Sequence, residues 1–313
     1  MLMLGIETIT KCQLKCRFCL GHGIKVKQRP TMTLDKFKII VDKCVDFGVD
    51  DFELTPIVGE FFLDRTWLQK LKYLENIEQI KCYDFFSNFI NLNDKEIIEL
   101  AKLKKINLEI SVYGFDRNSF KQFTGRDYFD KFIHNIKLLF KLYKSSKCNC
   151  KSISFSIRIK NFSRDSEMWK IMKIMNIFSN VDVRLSYKVS NLGGLIKPNS
   201  FEDEVEIPKH TGICENAVRN MIVENGNVTL CACDSNYKKT VIGNIFEQHL
   251  NEIYAEDSIF SKIFTNQNNL IYSKTCNKCN NFEIIHKYQI KKLATIIPWI
   301  KKYENSIVNY DRE

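Results

Sequence analysis

Through about residue 190, short β-branched or aromatic runs alternate with segments of helical period, and this alternation constrains the fold more than any other feature of the chain. Gly5 to Ile9, Asp51 to Thr55, Ile80 to Ser87, Ile106 to Val112, Ile153 to Ile159 and Val181 to Tyr187 read as strands. Between them, Leu34 to Phe47, Trp67 to Leu74, Asp94 to Leu103, Tyr128 to Tyr143 and Arg164 to Phe178 carry apolar residues at helical spacing. Strands that alternate with helices predict an α/β fold with a parallel sheet and helical crossovers, and such sheets bind ligands at their C-terminal strand ends. After Tyr187 the pattern changes. Gly193-Gly194 and a stretch from Pro198 to Pro208 mark a boundary, and Glu224-Asn225-Gly226-Asn227 predicts a hairpin. From Phe282 to Tyr303 a Lys-rich segment predicts a closing helix, broken or kinked at Pro298, that docks on the core or, less simply, lies on a membrane surface.

With 313 residues the chain is long enough for a sizeable core, and 23 Phe against 12 Gly points to an aromatic-rich interior. No stretch approaches the roughly 18 apolar residues of a membrane span. The apolar start, Met1 to Ile6, lacks a basic leader and a cleavage site, so a cytoplasmic protein is expected. The net charge of +10 permits attraction to nucleic acid or anionic lipid, but the Lys residues are scattered rather than gathered into a binding tract.

In a reducing compartment, 12 cysteines with short spacings are metal ligands or catalytic groups more readily than disulfides. Cys12, Cys16 and Cys19 place three thiols within one loop after the first strand. Soft thiolates suit iron–sulfur clusters or zinc, and three ligands to four irons leave one iron open to an exogenous group. A second set, Cys214, Cys231, Cys233, Cys276 and Cys279, contains a compact C-x2-C pair and offers enough thiolates to saturate a cluster or a zinc ion. Cys44 and Cys82 read as buried small hydrophobes, Cys148-Asn-Cys150 has no assigned role, and the histidines show no paired metal spacing.

The C-x3-C-x2-C spacing, with Phe18 before the last Cys, resembles the radical S-adenosylmethionine (SAM) superfamily. Val58-Gly59-Glu60 looks like that family's Gly-Gly-Glu motif, with Val in place of the first Gly. Phe86-Ser87-Asn88 and Glu109-Ile-Ser111-Val-Tyr113-Gly114 resemble its segments at the ends of the third and fourth strands. The resemblance implies a partial (β/α)6 TIM-type barrel over residues 1–195, and cluster ligation by Cys12, Cys16 and Cys19. It implies SAM contacts from Phe18, beside the adenine, and from Glu60, Asn88, Ser111 and Arg158, with Arg126 a second candidate for the carboxylate. The spacing of Cys214, Gly226, Cys231, Cys276 and Cys279, with Val241-Ile-Gly243-Asn244-Ile245 between, resembles the SPASM or twitch module. That implies a small cysteine-rich module over 196–283 holding one auxiliary 4Fe-4S cluster through Cys214, Cys231, Cys276 and Cys279, then a helical segment over 284–313. Cys233 is either a neighbour or a replacement for Cys231.

The chemistry so implied is reductive cleavage of SAM to methionine and a 5'-deoxyadenosyl radical, which abstracts hydrogen from a substrate, while the protein positions the reactants and excludes water. An auxiliary cluster without a vacancy favours electron transfer, hence oxidation or modification of a small molecule or peptide, with an external donor such as flavodoxin or ferredoxin. Because the first strand begins so close to Met1, the reading leaves no room for an N-terminal peptide-recognition domain. Two other readings stand beside it: a zinc-binding structural or interaction protein, and a radical SAM enzyme drawn to RNA by the basic balance, which would bind RNA with steep salt dependence.

Overall fold

The computed structural model describes residues 3–19, 29–186, 190–196, 206–232 and 240–305. Cys233, His22 and the end of the sixth expected strand at Tyr187 lie outside these. In chain order the strands are β1 (Met3–Ile6), β2 (Asp51–Glu53), β3 (Cys82–Ser87), β4 (Ile106–Val112), β5 (Ser152–Ile157), β6 (Val181–Leu185), β7 (Arg219–Ile222), β8 (Asn227–Thr229) and β9 (Val241–Asn244). The helices are α1 (Leu34–Asp46), α2 (Trp67–Asn76), α3 (Asp94–Leu100), α4 (Arg117–Thr124), α5 (Phe129–Lys144), α6 (Glu167–Met175), α7 (Leu250–Ile253), α8 (Ile259–Asn268) and α9 (Lys287–Ala294). No described helix is long and apolar enough to cross a membrane. The chain folds as two compact units whose membership does not follow chain order: residues 8–34 and 53–189 form one, and residues 1–7, 35–52 and 190–313 the other.

In the first unit β3, β4, β5 and β6 pair in parallel, with Phe85 opposite Leu108, Ile110 opposite Phe155 and Phe155 opposite Val183. This is the parallel α/β pattern that the alternation predicts. Each helix starts and stops for local reasons. Asn93 caps α3 and Asp116 caps α4, each through a reciprocal capping box, and Ser166 caps α6. Gly125 ends α4 in the left-handed region at φ 67°, where a side chain would be strained. The apolar faces of these helices and strands bury Phe85, Ile110, Phe120, Phe132, Ile136 and Phe155. By the usual coefficient, each fully buried aromatic or aliphatic side chain contributes roughly 1.5–3 kcal/mol.

In the second unit β1 pairs in parallel with β7, Leu4 opposite Asn220, while β7 and β8 form the expected hairpin around Gly226 (φ 85°) and β9 adds antiparallel to β8. α1 belongs to this unit. Its Lys36 and Lys43 donate to the carbonyls of Glu224 (3.2 Å) and Ile245 (2.6 Å). The closing segment is a helix, α9, that ends at Ala294, and then a 3-10 turn, Pro298–Tyr303, so the break falls three residues ahead of the proline, which opens the turn instead. Trp299 and Tyr303 pack this end against Phe260 and Phe264 of α8, so the segment docks on its own unit.

Candidate cluster sites

The loop between Ile9 and Cys19 is held from two sides. Lys15 and Arg17 donate their backbone N–H groups to the carbonyls of Thr124 (2.8 Å) and Phe123 (3.3 Å) at the end of α4. A Cβ at Gly125 would stand 3.1 Å from the carbonyl oxygen of Lys15, so the helix end and the loop touch backbone to backbone. On the other side the Glu60 N–H donates to the Lys11 carbonyl (2.8 Å). A Cβ at Gly59 would stand 2.7 Å from the carbonyl oxygen of Ile9, which no side chain allows. The glycine of the Val58-Gly59-Glu60 motif is therefore required by close approach, whereas Val58 is simply buried.

Glu60 lies buried at the start of the 3-10 turn Phe61–Leu63. Ser87 Oγ donates to its Oε1 (2.7 Å), as does Phe62 N–H (3.3 Å), and Asn88 N–H donates to its Oε2 (2.9 Å). Burial pushes the carboxyl up to about 7 against the pull of these hydrogen bonds from Asn88, Ser87 and Phe62. Asn88 then reaches the cysteine loop: its Nδ2 approaches Cys12 Sγ (3.8 Å) and its Oδ1 accepts from Gln13 Nε2 (2.9 Å). Glu60, Ser87, Asn88 and Cys12 form one connected cluster.

Of the other expected contacts, Ser111 is buried at the end of β4 and hydrogen-bonds Tyr113. Phe18 sits in an aromatic trio, 5.7 Å from Tyr113 and 5.3 Å from Phe123. Arg158 follows β5, its guanidinium 5.6 Å from the Phe86 ring centre. Arg126 follows Gly125, and its carbonyl accepts from Thr124 Oγ1 (2.9 Å).

The thiols of this loop act on one another. Cys16 is held well above its ordinary value by burial and then by Cys19 and Cys12, and Cys12 is pushed up to about 12 by desolvation, Glu60 and Cys19. A set of thiols that resist ionisation together but share one loop fits a multiply charged cationic centre, which would deprotonate all of them.

The second thiol group lies in the other unit. Cys214, Cys231, Cys276 and Cys279 line one cavity with His210, Tyr272 and Phe282. Cys231 and Cys279 are buried against each other, and Cys214 is pushed up to about 11 by burial and then by Cys279 and Cys276. The loops are pinned by backbone: Cys214 N–H donates to Gln267 Oε1 (2.9 Å), Cys279 N–H to the Cys276 carbonyl (2.9 Å), and Asn281 N–H to Cys279 Sγ (3.4 Å). The donor set fits an iron–sulfur group equally well. Cys44 is buried in α1 as expected, whereas Cys82, at the start of β3, is only half-buried.

Residues 6–161 match the radical SAM superfamily and residues 214–280 match an iron–sulfur cluster-binding domain, SPASM. An uncharacterized protein of Methanocaldococcus jannaschii is 27% identical over 188 residues, 59% of this chain and 58% of that protein. A GTP 3',8-cyclase of Haemophilus influenzae is 24% identical over 149 residues, 47% of this chain and 43% of the enzyme. The matched segments thus span about half the length of these curated relatives. Among solved structures, BtrN in complex with AdoMet and 2-DOIA superposes with a TM-score of 0.60 at 19% identity, over 90% of this chain and 93% of that one. Streptococcus suis SuiB bound to the precursor peptide SuiA gives 0.56 at 17%, over 93% and 73%. Native anSMEcpe with bound AdoMet gives 0.56 at 14%, over 98% and 100%. At these identities the likeness establishes the fold. The chain belongs to the radical SAM superfamily and carries a SPASM-type cluster-binding domain, so its cofactors are iron–sulfur clusters and SAM.

Proposed function

We propose that this radical SAM enzyme abstracts hydrogen from a small molecule or peptide and passes the resulting electron to a second cluster, for net oxidation or modification of the substrate. Cys12, Cys16 and Cys19 hold the SAM-binding 4Fe-4S cluster; Cys214, Cys231, Cys276 and Cys279 hold the auxiliary one. When loaded and reduced, the first cluster and SAM supply the hydrogen-abstracting radical. The chain's own work is placement. Glu60, fixed by three hydrogen bonds, offers its carboxylate to the SAM amino group, and Asn88 couples that carboxylate to the loop of Cys12. Ser111 and Arg158, at the ends of β4 and β5, are placed for the rest of SAM, and Phe18 contributes an apolar wall for the adenine. The observation that carries the reading is the second thiol-lined cavity, because four protein thiolates leave no open iron and suit electron transfer rather than substrate binding. An external reductant, flavodoxin or ferredoxin, completes the cycle.

Anaerobic reconstitution, with iron and sulfide counted and 5'-deoxyadenosine measured after adding SAM and a strong reductant, tests this reading. The parent should hold about eight irons and turn over, and a Cys12/Cys16/Cys19→Ala variant about four without turnover. Zinc in place of iron, or turnover that survives in the variant, would overturn it.

A further inference from the structure

Cys148-Asn149-Cys150 joins α5 to β5, at the end of the parallel sheet opposite Ser87 and Ser111. Here a half-buried thiol, Cys148, stands beside a buried one, Cys150. The chain between them is fixed: Asn149 N–H donates to the Ala101 carbonyl (2.7 Å), and the Cys150 carbonyl accepts from Asn180 Nδ2 (2.9 Å). The same Asn180 amide donates to Tyr143 Oη (3.3 Å), which leaves the tyrosine's own proton for Cys148. The Cys150 thiol lies 3.8 Å from the Leu100 carbonyl. When Cys148 is ionised, the single Cys150 proton turns to it, because an anionic acceptor outcompetes a neutral carbonyl. The Cys150 thiol first, and then the Cys150 N–H and the Tyr143 hydroxyl, hold Cys148 below the ordinary thiol value against its burial. The same contact and burial hold Cys150 above it, so Cys148 ionises while Cys150 keeps its proton.

We infer that Cys148 and Cys150 form a redox-active dithiol that exchanges with small-molecule disulfides, Cys148 as the attacking thiol and Cys150 as the resolving one. The site is separate from both cluster sites, and the inference does not depend on how those clusters are ligated. Two residues apart, the α carbons stand no more than about 7 Å from each other, close to the span that a disulfide bridges. The Cys148 thiolate attacks one sulfur of the reagent; a new S–S bond forms as the old one breaks, and one thiolate leaves with the electron pair. Cys150 then gives its proton to water and attacks Cys148 Sγ, which closes the bridge and releases the second thiolate. The two cysteines lose two electrons and the reagent gains them, so no further reactant is needed. Capping Cys148 also removes the anion that held the Cys150 proton, so the first step prepares the second. An accessible, ionised thiol beside a resolving partner is the arrangement that redox-sensing cysteines share. Closing the bridge takes the Cys150 proton from Leu100 and the ionised acceptor from Tyr143, whereas the loop of Cys12 keeps its own supports at Glu60 and Thr124.

The test treats the reconstituted full-length protein, without oxygen, with oxidised glutathione, then blocks the remaining thiols with N-ethylmaleimide and maps the peptides by mass spectrometry. Trypsin cuts after Lys147 and Lys151 and so releases both thiols in one short peptide. In the parent this peptide should carry no maleimide and weigh two hydrogens less than its reduced form, and dithiothreitol should restore it. Cys150→Ser should stop at the mixed disulfide, with one glutathione on Cys148. The rate of that step should rise with pH through a midpoint below the roughly 8.5 of an unperturbed thiol. Cys148→Ser should leave Cys150 without glutathione. An adduct that persists on the parent would show that the two thiols do not meet, and would overturn the inference. So would maleimide on both thiols of the treated parent, a midpoint at or above that of a free thiol, or uptake of glutathione by Cys150 in the Cys148→Ser chain as fast as by Cys148 in the other.

Discussion

Glu60 is the residue where folding and function pull in opposite directions. Its burial raises its pKa from the ordinary 4.5 to about 7, a cost of ~3 kcal/mol for the ionised form. Between those values the folded chain keeps a proton that the unfolded chain has released, so the Glu60 contribution to stability falls as pH rises through that window and is constant on either side. Denaturant unfolding of the metal-free chain and of a Glu60→Gln variant, followed from pH 4 to pH 8, should show the variant gaining on the parent by up to ~3 kcal/mol, whatever its offset at low pH. A difference that stays flat with pH would mean that Glu60 is not held neutral. The same variant should bind SAM more weakly once the cluster is loaded. The sequence shows Glu60 through its motif but not the donors that fix it, because Ser87, Asn88 and Phe62 come from separate segments. His210 gives no sequence signal, since its place depends on Tyr272 and Phe282 many residues away.

At the level of elements, length alone does not decide legibility: α3, of seven residues, is read from its Asp94 start, whereas α4 and the ten-residue α8 are not. The sixteen residues of α5 declare themselves by period, and the observed helix differs from the expected one by a residue at each end. α4 has only eight residues and goes unread, although it is the element whose last carbonyls hold the loop of Cys12, Cys16 and Cys19; its Thr124-Gly125 stop was the available clue. α5 has a second task that the pattern does not show. Its buried Asn135 donates through Nδ2 to the carbonyls of Phe89 (2.8 Å) and Ile90 (3.3 Å) in the turn that follows Asn88. That turn contains Phe89 at φ 55°, a conformation costly for a bulky residue, and the clamp offsets its strain. Replacing Asn135 by Ala should destabilise the chain by about 2–3 kcal/mol in urea unfolding and raise the Kd for SAM, because Asn88 loses its support. A loss below about 0.5 kcal/mol would show that the turn holds itself.

For the molecule as a whole, the sequence points to a division near residue 195, yet the contacts group residues 1–7 and 35–52 with the C-terminal part. A break in sequence pattern records a change of composition, not which segments bury each other's surfaces. β1 needs β7 for its backbone hydrogen bonds, and Lys36 and Lys43 of α1 need the carbonyls of Glu224 and Ile245. A fragment of residues 1–195 would leave these groups and the inner face of α1 unpaired. We expect it to be insoluble or to lack a cooperative thermal transition by circular dichroism. A soluble fragment that melts cooperatively would show that the barrel half stands alone.

The pairing of Leu4 with Asn220 also sets a timetable. During synthesis the first strand leaves the ribosome long before its partner exists, and the cysteine loop of Cys12, Cys16 and Cys19 leaves with it. Closing so long a loop is slow and cannot begin until Asn220 has been made. Nascent chains therefore carry β1 unpaired until Asn220 emerges, while the cysteine loop already has its supports at Glu60 and Thr124, so slowed translation should prolong the exposure of the strand rather than that of the thiols.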